Sequence, residues 1–141
     1  MEAMTAMILA IALEVGVPPN FALAVALTEN DALKSNAVSK PNANGTRDLG
    51  IMQLNSANYG AIDWRNPEVN IRAGCWHIRA LMERVELSTY WEVAVAYNCG
   101  MKWKVEGFTP PKSSLNYATA VMKKWTELEG GYVHPIIGKL W

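Results

Sequence analysis

Glycine and proline cut the sequence into helix-length pieces, and this punctuation limits the fold more than any other feature. Residues 3–15 are apolar enough for a first helix and stop at Gly16. Val17-Pro18-Pro19 restarts the chain, because proline is tolerated in a first helical turn where its missing N–H is not needed. A second helix is expected over residues 19–30. Asn66-Pro67-Glu68 reads as another start, with a capping side chain, a proline in the first turn and an acid at the positive dipole end. From there Ile71, Cys75, Ile78, Met82 and Val85 recur at helical spacing. Ser88 is expected to cap a helix over 91–98, closed by Gly100 and followed by a loop through Pro110-Pro111. Ser113 or Ser114 then opens a last helix to about Glu127, ended by Gly130-Gly131. The tail to Trp141 is apolar enough to pack back. Only residues 31–48 break the helical pattern: they are polar, with Pro41 and the turn pair Asn44-Gly45, which predicts a small β-hairpin around that pair. The expected fold is mainly α with one small hairpin.

At 141 residues the chain fits a single domain, 1–141, large enough to form a core without a metal or disulfide staple. Half the residues are apolar and 18% are charged, which excludes disorder. The net charge is zero, which argues against nucleic acid as a partner. Cys75 and Cys99 are too few for a disulfide framework and are expected as thiols. His77 and His134 have no ligand spacing around them, so no metal is expected; they read as a helix-surface and a tail histidine. The apolar stretch over 4–13 is too short to span a bilayer. It follows Glu2 without any Lys or Arg, so it reads as a core helix, neither a signal peptide nor an integral membrane segment. A monomer is expected.

Most acids fit helix starts or solvated faces; Arg79 and Glu83, four apart, form such a surface pair. Glu29 does not fit. It follows Ala26 by three, Val25 by four and Ala22 by seven, which puts its carboxylate on the apolar side of the last turn of its helix. Desolvation and the negative dipole end both raise a carboxyl pKa there, and a general acid working near neutrality needs that. The alternative is a boundary glutamate whose head reaches water.

Asp48 lies beside the expected hairpin, and Gln53 stands in an otherwise apolar run, so Gln53 either braces backbone or faces a polar cleft. Asn98 before Cys99-Gly100 serves equally as a helix end or a cleft residue, and Tyr97 and Tyr117 as core or cleft. Trp64, Trp76, Trp91, Trp103, Trp125 and Trp141 are numerous for this length. Core packing accounts for most, though aromatic rings in a groove would also suit sugar faces.

Val17-Pro18 ahead of the Glu29 helix, Gly50-Ile51-Met52-Gln53, Asn66-Pro67 with Asn70-Ile71, Ala96-Tyr97-Asn98-Cys99-Gly100 and Tyr117 together resemble the soluble-lytic-transglycosylase (SLT) domain of the lysozyme superfamily, in order and over residues 17–125. That resemblance implies a lysozyme-like fold and cleavage of the β-1,4 bond between N-acetylmuramic acid and N-acetylglucosamine in peptidoglycan. It implies a single catalytic glutamate, with no metal or cofactor. Glu29 matches that glutamate, Gln53 the cleft glutamine, Tyr97 and Asn98 the cleft pair, and Tyr117 a tyrosine that positions the glutamate. Asn30 departs from the pattern, which has serine there to hold the substrate's acetamido region. The segment 46–56 is also similar to the hairpin of animal-type lysozymes, where the acid at the Asp48 position is nucleophile or charge stabiliser.

Three readings follow. Transglycosylation would leave a 1,6-anhydromuramoyl end, and a retaining muramidase would use Glu29 as acid and Asp48 as nucleophile. A lysozyme-like fold used only for binding or assembly would have no need of Glu29. The substrate lies outside the cytoplasmic membrane, so the expected routes are release from a phage-infected host or carriage within a larger exported or virion protein.

Overall fold

The computed structural model describes residues 1–139. Seven helices and one small sheet follow in the order α1 (Glu2–Val15), α2 (Pro19–Glu29), β1 (Asp48–Leu49), β2 (Leu54–Asn55), α3 (Ser56–Tyr59), α4 (Pro67–Met82), α5 (Tyr90–Cys99), α6 (Lys102–Glu106) and α7 (Lys112–Glu129). The fold is mainly α and lysozyme-like. Gly16 ends α1 in the left-handed conformation, φ 87°, and α2 begins with its proline, as the punctuation predicts. Asn66 caps α4 by accepting from the Val69 N–H.

α2 is the centre of the core. Phe21 to Ala26 are all buried, because α1 and α7 both pack against this helix. The Phe21, Tyr90 and Trp125 rings meet in a triangle with centroids 5.0–5.2 Å apart, which joins α2, α5 and α7. α4 packs on α1 and α5 through Ile71, Cys75 and Ile78. Both cysteines are free thiols, and burial pushes the Cys75 thiol up to about 12.

Several expectations are corrected. The ladder of the sheet pairs Asp48 with Asn55 and Leu49 with Leu54, so its turn is Gly50–Gln53 and not Asn44-Gly45. The Asn44-Gly45 turn does reverse the chain, but it leads only into the isolated antiparallel bridge between Val38 and Leu49. α4 stops at Met82, leaving Val85 81% exposed in the loop beyond. Thr89, not Ser88, caps α5, in a capping box with Glu92. The expected loop after Gly100 contains α6. Arg79 is more than one half of a surface pair: besides Glu83 it donates to the Gly16 carbonyl at 3.2 Å, satisfying the end of α1. The tail packs back through Ile137, which is buried and donates to the Ser88 carbonyl. Trp141, at the end of that tail, lies outside the described residues. No helix among the described residues is long and apolar enough to cross a membrane.

Candidate active site

A groove opens where the end of α2 meets the hairpin, α3, α4 and the end of α5. Glu29, Asp48, Gln53, Leu54, Asn55, Asn58, Tyr59, His77, Tyr97 and Asn98 line it. Glu29 is the last residue of α2, at the point where the chain leaves the core, so its carboxyl keeps an open edge on the groove while protein surrounds the rest. Burial is the larger cause that raises its pKa, and the negative charge of Asp48 adds to it, bringing the value to about 8. Near neutrality Glu29 is therefore an acid.

The hairpin that carries Asp48 and Gln53 hangs on one buried side chain. Asn70 donates to the Leu49 carbonyl at 3.0 Å and the Trp64 carbonyl at 3.1 Å, and accepts from the Met52 N–H at 2.8 Å. Gly50 passes directly over this amide with φ 74°; a Cβ there would collide with the Asn70 side chain and the Trp64 carbonyl. Gly74 serves the same packing, since a Cβ on it would lie 2.7 Å from Met52 Cγ. Gln53 adopts φ 53°, unusual for a residue with a side chain, and its amide closes the turn by donating to the Gly50 carbonyl at 2.9 Å. It braces backbone and lines the groove at once. Asp48 accepts a long hydrogen bond from Asn42 at 3.4 Å.

On the opposite wall the Tyr97 hydroxyl donates to the Met52 carbonyl at 2.6 Å. The buried Ser114 hydroxyl of α7 donates to Asn98 Oδ1 at 2.7 Å, which leaves the Asn98 NH2 without a protein partner among the described residues and available to the groove. Tyr117 does not line the open groove. Its hydroxyl is buried without a hydrogen-bond partner, and its pKa is raised well above the usual phenol value by burial, then by Glu29 and Tyr97. Asn30 does not line the groove either. Its amide bonds the Lys34 N–H and carbonyl and, at 3.4 Å, the Gly50 carbonyl, so it clasps the turn after α2 to the hairpin.

The sequence reading missed His77, Tyr59, Asn55 and Asn58. His77 is half-buried on the groove side of α4, not a surface histidine. A signal existed: Asn70, Gly74 and His77 stand at i, i+4 and i+7, the stripe facing the hairpin. Tyr59 and Asn58 belong to α3, the short helix expected after Ser56, whose single turn is too short for periodicity to show which residues face the groove. The groove's aromatic rings are tyrosines; no tryptophan lines it among the described residues. No cluster of three or more His, Cys, Asp or Glu suited to a metal occurs among the described residues. A larger cavity, about 750 Å³, lies between the α1–α2 joint and the tail, but its one acid, Glu83, is paired with Arg79.

The family model for the transglycosylase SLT domain matches residues 6–106. No curated protein and no solved structure matches the chain. The matched span contains every residue lining the groove and ends with α6, leaving α7 beyond it. With the greater part of its length matched, the chain belongs to the transglycosylase SLT domain family, a lysozyme-like family whose substrate is peptidoglycan.

Proposed function

We propose that the chain is a lytic transglycosylase that cuts the β-1,4 bond between N-acetylmuramic acid and N-acetylglucosamine and leaves a 1,6-anhydromuramoyl end. The observation that carries this reading is Glu29, a groove carboxyl held protonated to about pH 8. Protonated Glu29 gives its proton to the glycosidic oxygen as the bond to C1 breaks. The resulting carboxylate takes the proton of the muramoyl C6 hydroxyl while O6 bonds to C1. The proton is thus returned, and no water is consumed. The substrate's own acetamido group can assist at C1 in place of a second carboxylate. Asp48 keeps Glu29 protonated and steadies positive charge at C1. Gln53, Tyr97 and Asn98 hold the glycan, and Tyr117, buried behind the groove close enough to feel the Glu29 charge, positions Glu29. No metal or cofactor enters this scheme, and a monomer suffices for it.

A second reading rests on Asp48 lining the same groove: a retaining muramidase, with Asp48 attacking C1. Weighing the released muropeptides decides between them. Anhydro ends support transglycosylation; products one water heavier, with reducing ends, support hydrolysis. No release by the folded wild-type protein would leave the binding or assembly reading. The place of work is the murein layer, reached by phage release or as part of a larger exported or virion protein.

A further inference from the structure

We infer that His77 contacts the substrate, its imidazole hydrogen-bonding a polar substituent of the N-acetylated glycan bound in the groove. The inference rests on the reading of this groove as the glycan-cleaving site. His77 projects from α4 between two tyrosines, with its ring 6.2 Å from the Tyr59 ring and 5.3 Å from the Tyr97 ring, centroid to centroid. These contacts fix the plane of the ring. Among the described residues neither ring nitrogen bonds a protein group, and neither is sealed from solvent, since the only buried unpartnered side-chain polar atom there is the Tyr117 hydroxyl. Both nitrogens are therefore open to solvent, on a residue that lines the groove.

Some neighbouring polar groups are committed to the protein, while the Asn98 NH2, the Asn58 amide and the Tyr59 hydroxyl make no protein hydrogen bond among the described residues and share the groove with His77. The Tyr97 hydroxyl goes to Met52, the Gln53 amide nitrogen to Gly50, and both ends of the Asn55 amide to Thr46 and Ala57. If His77 were only a spacer between tyrosines, phenylalanine would serve without bringing polar atoms into the gap. Burial lowers the His77 pKa below the usual 6.5, so near neutrality the ring is uncharged and offers one donor and one acceptor. A fixed cation in the same groove would favour ionised Glu29 and undo the acid; a neutral imidazole adds hydrogen bonding without that charge.

The test compares wild type with His77→Phe, which keeps the ring packing, and His77→Gln, which keeps hydrogen bonding, on soluble uncross-linked glycan strands. His77→Phe should raise KM about 3- to 10-fold, the value of one lost hydrogen bond, with kcat little changed, and His77→Gln should recover part of the loss. A wild-type KM in folded His77→Phe overturns the assignment. If His77→Phe fails to fold, His77→Leu and His77→Gln are compared instead, and equal KM values overturn it. If the wild type releases no muropeptide, the parent reading fails by itself. Calorimetry of Glu29→Gln with and without His77→Phe, using tetra-N-acetylchitotetraose as probe, then decides His77 separately: weaker binding supports the contact, and equal binding overturns it.

Discussion

The Tyr97 hydroxyl and the Met52 carbonyl, 2.6 Å apart, tie the last turn of α5 to the turn of the hairpin. Removing the hydroxyl leaves that carbonyl without its partner in a site where protein displaces most water. Tyr97→Phe should therefore lower unfolding free energy by about 1–3 kcal/mol. Urea denaturation reads this as a lower midpoint with an unchanged slope. An unchanged midpoint would mean that water replaces the hydroxyl freely.

Activity should hold through neutrality and fall above about pH 8, because the working form of Glu29 is the protonated one. Asp48→Asn removes a charge that holds the proton on Glu29, so this alkaline limb should move to lower pH. Overall activity should drop moderately while the products keep anhydro ends. A pH–rate profile for both proteins checks this; an alkaline limb unmoved in Asp48→Asn would show that burial alone sets the acid.

Glu29→Gln should reduce lysis by about 10²–10⁴-fold, the usual contribution of a general acid–base group, while the fold persists. Its stability should also depend differently on pH. The carboxyl holds its proton more tightly folded than unfolded, so its stabilising contribution is complete below about 4.5 and is lost as the pH rises to about 8. Glutamine has no such loss. The melting temperature of Glu29→Gln relative to wild type should climb across that window and level off above it. A constant difference would contradict the raised pKa.

Asn70→Ala should be the costliest of these changes to the fold. It strips partners from the Leu49 and Trp64 carbonyls and the Met52 N–H together. Each buried group left unpaired costs about 1–3 kcal/mol, so a loss above about 3 kcal/mol is expected. Chemical denaturation measures it, and a loss under about 1 kcal/mol would show that the hairpin has other support.

The helix ends at Gly16, Pro19, Asn66 and Gly130 are legible because they rest on local chemistry that acts within a turn of each position. Helical spacing accounts for only part of the setting of Glu29. Residues 21–26 of α2 are buried on every side, so there is no single apolar face for Glu29 to share. It reaches the groove by being the last helical residue. Its pKa is raised by burial and by Asp48 across the groove, a partner that no helical spacing could name. Asn44-Gly45 is a strong turn signal and predicts the hairpin there. The Asn70 bracket, eighteen residues beyond Met52, puts the hairpin's turn at Gly50–Gln53 and its ladder on Asp48–Leu49 and Leu54–Asn55. Spacing offers Ser113 or Ser114 as the start of the last helix, whereas α7 begins at Lys112 after Pro111, and the bond of Ser114 to Asn98 exists only because α7 folds onto α5.

The triangle of Phe21, Tyr90 and Trp125 bears on how this unit can be transplanted. The family match closes at residue 106, yet Trp125 caps the central helix, and Ser114 and Tyr117 stand behind the groove from the same α7. A graft cut at residue 106 would carry every lining residue and still expose Phe21 and Tyr90 along the seam where α7 had been. The portable piece extends at least to Glu129, because the helix outside the recognisable motif is the one that closes the back of the candidate groove.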